Sequence, residues 1–165
     1  MLDKVDTPAE FFTHKLGAAL SMENKVLDML GDNEKHAQHE ELKALFRHHA
    51  DETREQIRNI EQAFASLGQE PDEKMSPAVD GLKVEAMANM KLTDERLRDD
   101  VILGAAAETE HHEIAVYEEL ITYADTLGRP EINGLLRQNL EQEQHTLDEV
   151  RRSAARIARE TLQPA

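Results

Sequence analysis

The stretch Ala107-Glu-Thr-Glu-His-His-Glu-Ile-Ala-Val-Tyr117 reads as helix, yet it places acids where a helix of this character would carry core. Leu103, Ala106, Glu110, Glu113, Tyr117, Leu120 and Ala124 recur at intervals of three and four, so they fall along one stripe. Two of the seven are glutamates one turn apart, and the rest of the stripe suits packing against other helices. A buried, unpaired carboxylate costs on the order of several kcal/mol. Either this stripe faces water, or something positive stands in front of Glu110 and Glu113. Paired carboxylates on a buried face are suited to divalent cations.

The other helical stretches carry matching interruptions. In the first, the stripe Phe12, Leu16, Leu20, Val26, Leu30 is broken by Glu23. In the second, Leu42, Phe46, Ile60 and Phe64 bracket His49, Glu52 and Gln56. In the last, Glu143 stands seven residues after Leu136 and seven before Val150, on a stripe that also takes in Leu140. Five inward glutamates would bring about five negative charges into a low-dielectric core. Protonation could neutralise some of them, and two divalent ions would neutralise four while satisfying the carboxylate lone pairs. Hard oxygen donors with an imidazole suit iron or manganese better than copper, and zinc also fits. Two ions ~3.5–4 Å apart, bridged by carboxylates, are the usual arrangement for such a set.

Glu23, His49, Glu52, Glu110, Glu113 and Glu143 are therefore the candidate metal ligands. A shift in helix phase would replace Glu52 by Asp51, and His49 could equally be a core histidine bonded to a carboxylate. Gln56 suits the layer behind the ligands. Tyr117 is either a core tyrosine whose hydroxyl reaches a polar site or a hydrogen-bond or redox relay beside the metals. His111, His112 and His145 flank or miss the stripes and read as surface residues.

Four long helices are needed to carry these positions. Thr7-Pro-Ala-Glu10 predicts a helix start with a capping box, and the first helix runs over about 8–30 with Gly31 as its C-cap. The second covers about 33–67 and ends at Gly68. Residues 69–92 break the pattern with Pro71 and Pro77 and hold a short helix at about 78–90, where Met75, Met87 and Met90 suit adaptable packing. The third and fourth long helices cover about 94–127 and 130–161, and the tail from Leu162 is expected to fray. Gly104 and Gly134 are candidates for close helix approach. Short first and last connections make antiparallel pairs, and the long middle crossover lets the second and third long helices run parallel, as in ferritin-like bundles. The expected class is all-α, in one domain over 1–165, with no strand signal anywhere.

Composition narrows the function. The chain has no cysteine, which excludes disulfides, zinc–thiolate sites, iron–sulfur clusters and cysteine nucleophiles, and fits a reducing cytoplasm. No apolar run approaches the ~20 residues of a membrane span, and the first residues, Met1 to Thr7, lack a signal-peptide core. With 34 acids against 19 Lys and Arg, the net charge of -15 argues against nucleic-acid partners and anionic membranes. Four Phe, two Tyr and no Trp leave little for an aromatic substrate pocket, which disfavours a di-iron monooxygenase.

Glu110-His-His-Glu-Ile-Ala-Val-Tyr117, followed by Ala124-Asp-Thr-Leu-Gly128, resembles the YciF-like family of bacterial ferritin-like stress proteins. The resemblance extends to Ser21-Met-Glu23, to His49-Ala-Asp-Glu-Thr-Arg-Glu-Gln56 and to Leu140-Glu-Gln-Glu143, and so covers nearly the whole chain. It implies a ferritin-like bundle that dimerises, acts in stress responses and holds a dinuclear metal centre. Glu110 and Glu113 also match the Glu-x-x-Glu of rubrerythrin-type proteins. Two departures stand out: the wider pattern has Glu-x-x-His in the second and fourth long helices. Here Glu52 is followed by Glu55, with His49 three residues before it, and Glu143 is followed by Thr146. Arg54 stands where relatives often have an acid or a histidine.

The expected function is a homodimeric stress protein with a carboxylate-rich iron or manganese pair that oxidises iron or removes peroxide, with oxygen or peroxide as the small-molecule substrate. The rivals are a non-enzymatic structural or interaction protein, and an iron-storage cage or DNA-protecting mini-ferritin. The lack of a basic tail speaks against DNA protection.

Overall fold

The computed structural model describes residues 4–162. It contains α1 (Pro8–His36), α2 (Glu40–Ser66), α3 (Pro77–Leu92), α4 (Arg98–Thr126) and α5 (Pro130–Thr161), with a 3-10 turn at Glu95–Leu97. No strand occurs among the described residues, and the expected fraying beyond 162 lies outside them. Thr7 Oγ1 accepts from the Glu10 amide at 3.2 Å and Glu10 Oε2 accepts from the Thr7 amide at 2.9 Å, so two orphan donors of α1 are satisfied reciprocally. α2 and α4 end at Gly68 and Gly128, which turn left-handed at φ 70° and 64°. The amides of Gln69 and Arg129 then reach back to the carbonyls of Phe64 and Ala124 at 3.1 and 2.9 Å.

The first hairpin departs from the expected boundaries. α1 passes through Gly31 to His36, and α2 starts at Glu40 rather than near residue 33. Gly31 has a negative φ, and a glycine inside a helix costs only about 1 kcal/mol relative to alanine, so it does not compel a stop. The turn is fixed instead by a distant residue. Asp99, buried at the start of α4, accepts from the amides of Gln38 and His39 at 2.8 and 3.0 Å, and pairs with His39 Nδ1 at 2.5 Å. α4 also starts later than expected, at Arg98, because Asp94 caps the intervening 3-10 turn by accepting from the Arg96 amide at 2.9 Å.

α1 lies along α2 and α4 along α5; contacts of α2 with α5 and of α1 with α4 close the bundle. The Asp99–His39 contact brings the N-termini of α2 and α4 to the same end, so these two helices run parallel across the long crossover. Arg156 pairs with Glu41, and Thr161 Oγ1 donates to Asp100 at 3.0 Å, which places the C-terminus of α5 there too. At the opposite end Lys15 meets Glu119 at 2.8 Å, and the rings of Phe11 and Tyr123 lie 5.3 Å apart. The molecule is an all-α, ferritin-like four-helix bundle with α3 carried on the crossover. Leu42, Phe46, Leu103 and Val150 fill one end of the core, and Phe12, Leu16, Phe64 and Leu120 fill the other. The middle layer is polar. No helix of the described residues is long and apolar enough to cross a membrane.

The crossover is strapped to α1 at Gly17. A Cβ there would lie 2.2 Å from the Asp72 carbonyl oxygen, and the Lys74 amide donates to the Gly17 carbonyl at 3.0 Å. Gly104 and Gly134, the expected close-approach positions, are exposed instead, with nothing within 4 Å of an added Cβ. Met75 and Met87 are likewise exposed rather than packed, while Met90 rests half-buried on the core. Two substitutions should therefore act in opposite directions in a denaturant titration. Gly17→Ala should destabilise by about 1–3 kcal/mol through overpacking. Gly104→Ala should stabilise by up to about 1 kcal/mol through helix propensity.

Candidate metal centre

Each helix of the bundle delivers its polar residues to the same layer because each interruption lies near the middle of its helix. α1 brings Glu23, α2 brings His49, α4 brings Glu110 and Glu113, and α5 brings Glu143, all of them buried. Single donor atoms from His49, Glu110, Glu113 and Glu143 lie within 4.8 Å of one another, so this group could hold metal ions. His49 Nε2 stands 3.1 Å from Glu110 Oε1 and 3.7 Å from Glu143 Oε2, without hydrogen-bond geometry to either. Its other nitrogen faces Thr146 Oγ1 at 3.3 Å and Glu52 Oε2 at 3.5 Å.

Glu23 approaches from the far side and is tied into a polar thread. Tyr117 Oη donates to Glu23 Oε1 in a short hydrogen bond. Asn139 Nδ2 donates to Tyr117 Oη at 3.1 Å and lies 3.3 Å from the Gln56 carbonyl, and Asn59 Nδ2 donates to Asn139 Oδ1 at 2.7 Å. Tyr117 is thus a buried tyrosine whose hydroxyl reaches the polar layer. Gln56 is buried beside it, but its side-chain amide has no partner and touches the thread only through its backbone.

Glu52 differs from the expected inward ligand. It sits at the rim, 16% exposed, outside the inner group of four. Asp51 is exposed and paired with Arg54 at 2.6 Å, so the helix phase leaves Glu52 as the carboxylate of α2 that reaches the centre. His111 and His145 are exposed and His112 is half-buried. Sequence reasoning missed Asn139 and Asn59. Both lay at the right phase: Leu136, Asn139, Glu143, Thr146 and Val150 recur at three and four, but Leu140 next door drew the stripe by its hydrophobicity. Asp99 was missed as well, because an acid in the first turn of a helix reads as an ordinary macrodipole partner.

The buried centre is unsatisfied as a purely protein assembly. Glu23 Oε2, His49 Nε2, Glu110 Oε2 and both oxygens of Glu113 and Glu143 have no hydrogen-bond partner. Each such group costs roughly 1–3 kcal/mol, and more when charged. Burial pushes the Glu23 carboxyl up to about 7, although Tyr117 and His49 pull the other way. Glu113 is pushed well above the usual range by burial and by the charges of Glu143, Glu23 and Glu110. Glu143 moves the same way, again chiefly by burial, with His49 opposing. For His49 burial favours the neutral ring, but Glu110, Glu52 and Glu143 together raise it well above the ordinary value.

The donor set fits hard divalent cations. Four buried glutamates carry four negative charges when ionised, which two divalent ions balance, and the partnerless oxygens are the atoms such ions would bind. Without metal, burial favours the protonated forms of Glu23, Glu113 and Glu143. The folded-state values of Glu23, Glu113 and Glu143 lie above the unfolded ones, so their contribution is full below about pH 4.5 and lost as pH rises through the raised values. Glu52, held low by His49 and His48 against its burial, contributes oppositely but sits at the solvent rim. Metal-free protein should therefore lose stability between pH 5 and 8, by on the order of 3 kcal/mol from Glu23 alone. Adding Mn²⁺ should restore it most at the alkaline end. Melting curves with and without chelator across that range would show it.

The comparisons with known proteins agree with this architecture. Residues 7–163 match the family described as a domain of unknown function, DUF892. Protein YciF of Escherichia coli strain K12 is 32% identical over 142 residues, covering 85% of this chain and 86% of YciF. Among solved structures, the E. coli stress protein YciF superposes with a TM-score of 0.88 at 29% identity, over 94% of this chain and 99% of that one. YcfI from Rhodopseudomonas palustris also reaches 0.88, at 30% identity over 92% and 97%. XCC3681 from Xanthomonas campestris pv. campestris shares the fold at 0.77, with 23% identity over 94% and 97%. With the family's profile spanning nearly its whole length and a relative matched across most of both chains, this protein belongs to the DUF892 family, that of the stress protein YciF.

Proposed function

We propose that the centre holds a pair of iron or manganese ions and that the protein acts in stress protection by oxidising iron or removing peroxide. The observation that carries this reading is the convergence of buried, partnerless carboxylate oxygens from α4 and α5 on one imidazole nitrogen from α2. The stress role rests on the relationship to YciF, a stress protein of E. coli. Bound there, a reduced pair would supply two electrons to oxygen or peroxide.

The chain's own groups prepare the site for that chemistry. His49 turns Nδ1 toward Thr146 and Glu52 and so presents Nε2 to the interior. A histidine ligand oriented through its second nitrogen by a carboxylate is a recurring support for bound metal. Tyr117 holds Glu23 in place and carries a proton on Oη beside its carboxylate, while Asn139 fixes that hydroxyl in turn. Glu113 and Glu143 each offer two free oxygens, which suits bridging. The apolar layers at both ends keep water from the reacting atoms.

The test is metal analysis of protein purified without a metal-binding tag, beside a variant carrying Glu110→Ala and Glu143→Ala. The expected result is about two equivalents of iron or manganese, nearly all lost in the variant, with Fe²⁺ oxidation or peroxide consumption by the loaded protein. A protein that takes up no metal on reconstitution would overturn the reading and leave a bundle kept for packing or partners. Metal bound without either activity would make the site structural.

A further inference from the structure

One carboxylate of the centre is open to water, and it points to how a cation reaches donors that are otherwise sealed. The side chains of His49, Glu110 and Glu143 are 0–3% exposed, whereas Glu52 is 16% exposed and His48, on the adjacent turn of α2, is 65% exposed. Glu52 faces both ways. Its Oε1 lies 3.5 Å from His48 Nε2, and its Oε2 lies 3.5 Å from the buried His49 Nδ1 and 3.4 Å from Thr146 Oγ1.

We infer that His48 and Glu52 form a transit site that takes a divalent cation from water and passes it to His49, Glu110 and Glu143. The inference rests on the proposed metal centre and adds its route of loading. Two donors bound to one ion at about 2.0–2.2 Å each stand roughly 3–3.5 Å apart, close to the His48–Glu52 separation. Residues four apart on a helix share a face, so both can grip one ion. Inward of Glu52 stands the His49 ring, whose Nε2 on the inner side lies 3.1 Å from Glu110 Oε1; this nitrogen and Glu110 Oε2 are nine-tenths or more buried and have no partner. A surface ion pair would explain the contact with His48. The same carboxylate also orients the buried His49 through Nδ1, so the water-facing pair and the sealed donors meet in one residue. The net charge of -15 draws cations to the surface, and this pair gives them a way in.

The experiment is stopped-flow mixing of metal-free protein with Co²⁺, followed by the visible absorbance of the bound ion. His48→Ala should fill about tenfold more slowly than wild type and reach the same final absorbance. Glu52→Gln should slow at least as much. Melting of the metal-free variants alongside wild type separates slow loading from a damaged fold. If His48→Ala fills at the wild-type rate, the transit site is overturned, and it is overturned equally if Glu52→Gln alone abolishes binding, since Glu52 is then simply a ligand. If wild-type protein takes up no Co²⁺, the metal centre itself fails, a result distinct from a filled site whose rate ignores His48.

Discussion

Four glutamates sealed at the middle of a helical bundle set the terms for everything around them. In a low-dielectric interior their charges repel, and six of their eight oxygens forgo water without finding protein donors. Such a layer persists only if protons or cations occupy it, and a cation pair satisfies charge and lone pairs together. The apolar layers at either end compensate by holding the helices in register, so the donors meet rather than splay apart. Stability and function are therefore coupled in one layer: the residues that weaken the metal-free fold are those that would bind metal.

The polar thread from Glu23 through Tyr117 and Asn139 to Asn59 addresses the same problem from the other side. One oxygen of a buried carboxylate can be held by a donated hydrogen bond, and the donor must itself be fixed. Asn139 does this by joining α5 to α4 and α2 at once. Thr146 stands where the wider ferritin-like pattern has histidine on α5, and here it contacts His49 and Glu52 on the facing helix. The two histidines of that pattern are thus reduced to one, His49, supplied from α2 three residues before Glu52.

Much of this was legible from residue order because helical periodicity is a local property. The stripe through Leu103, Ala106, Glu110, Glu113, Tyr117, Leu120 and Ala124 is buried along its whole length. Glycines that must turn left-handed, Gly68 and Gly128, end their helices as their type suggests. The same signal misleads at Gly31, Gly104 and Gly134, where no close neighbour or special φ calls for glycine.

The sequence by itself determined that four helices would each bring an acid or imidazole to mid-length, since spacing alone assigns a face. Only the tertiary structure decided the rest. Asp99 sets the first hairpin turn across some sixty residues of chain, which no local pattern can encode. Gly17 is required by the Asp72 carbonyl laid against it, a neighbour from the crossover. Glu52 and Glu110 look alike as interruptions of a stripe. Helix rotation and the packing of α2 on α5 place one at the rim and the other in the sealed interior, because depth depends on where neighbouring helices stop covering a face.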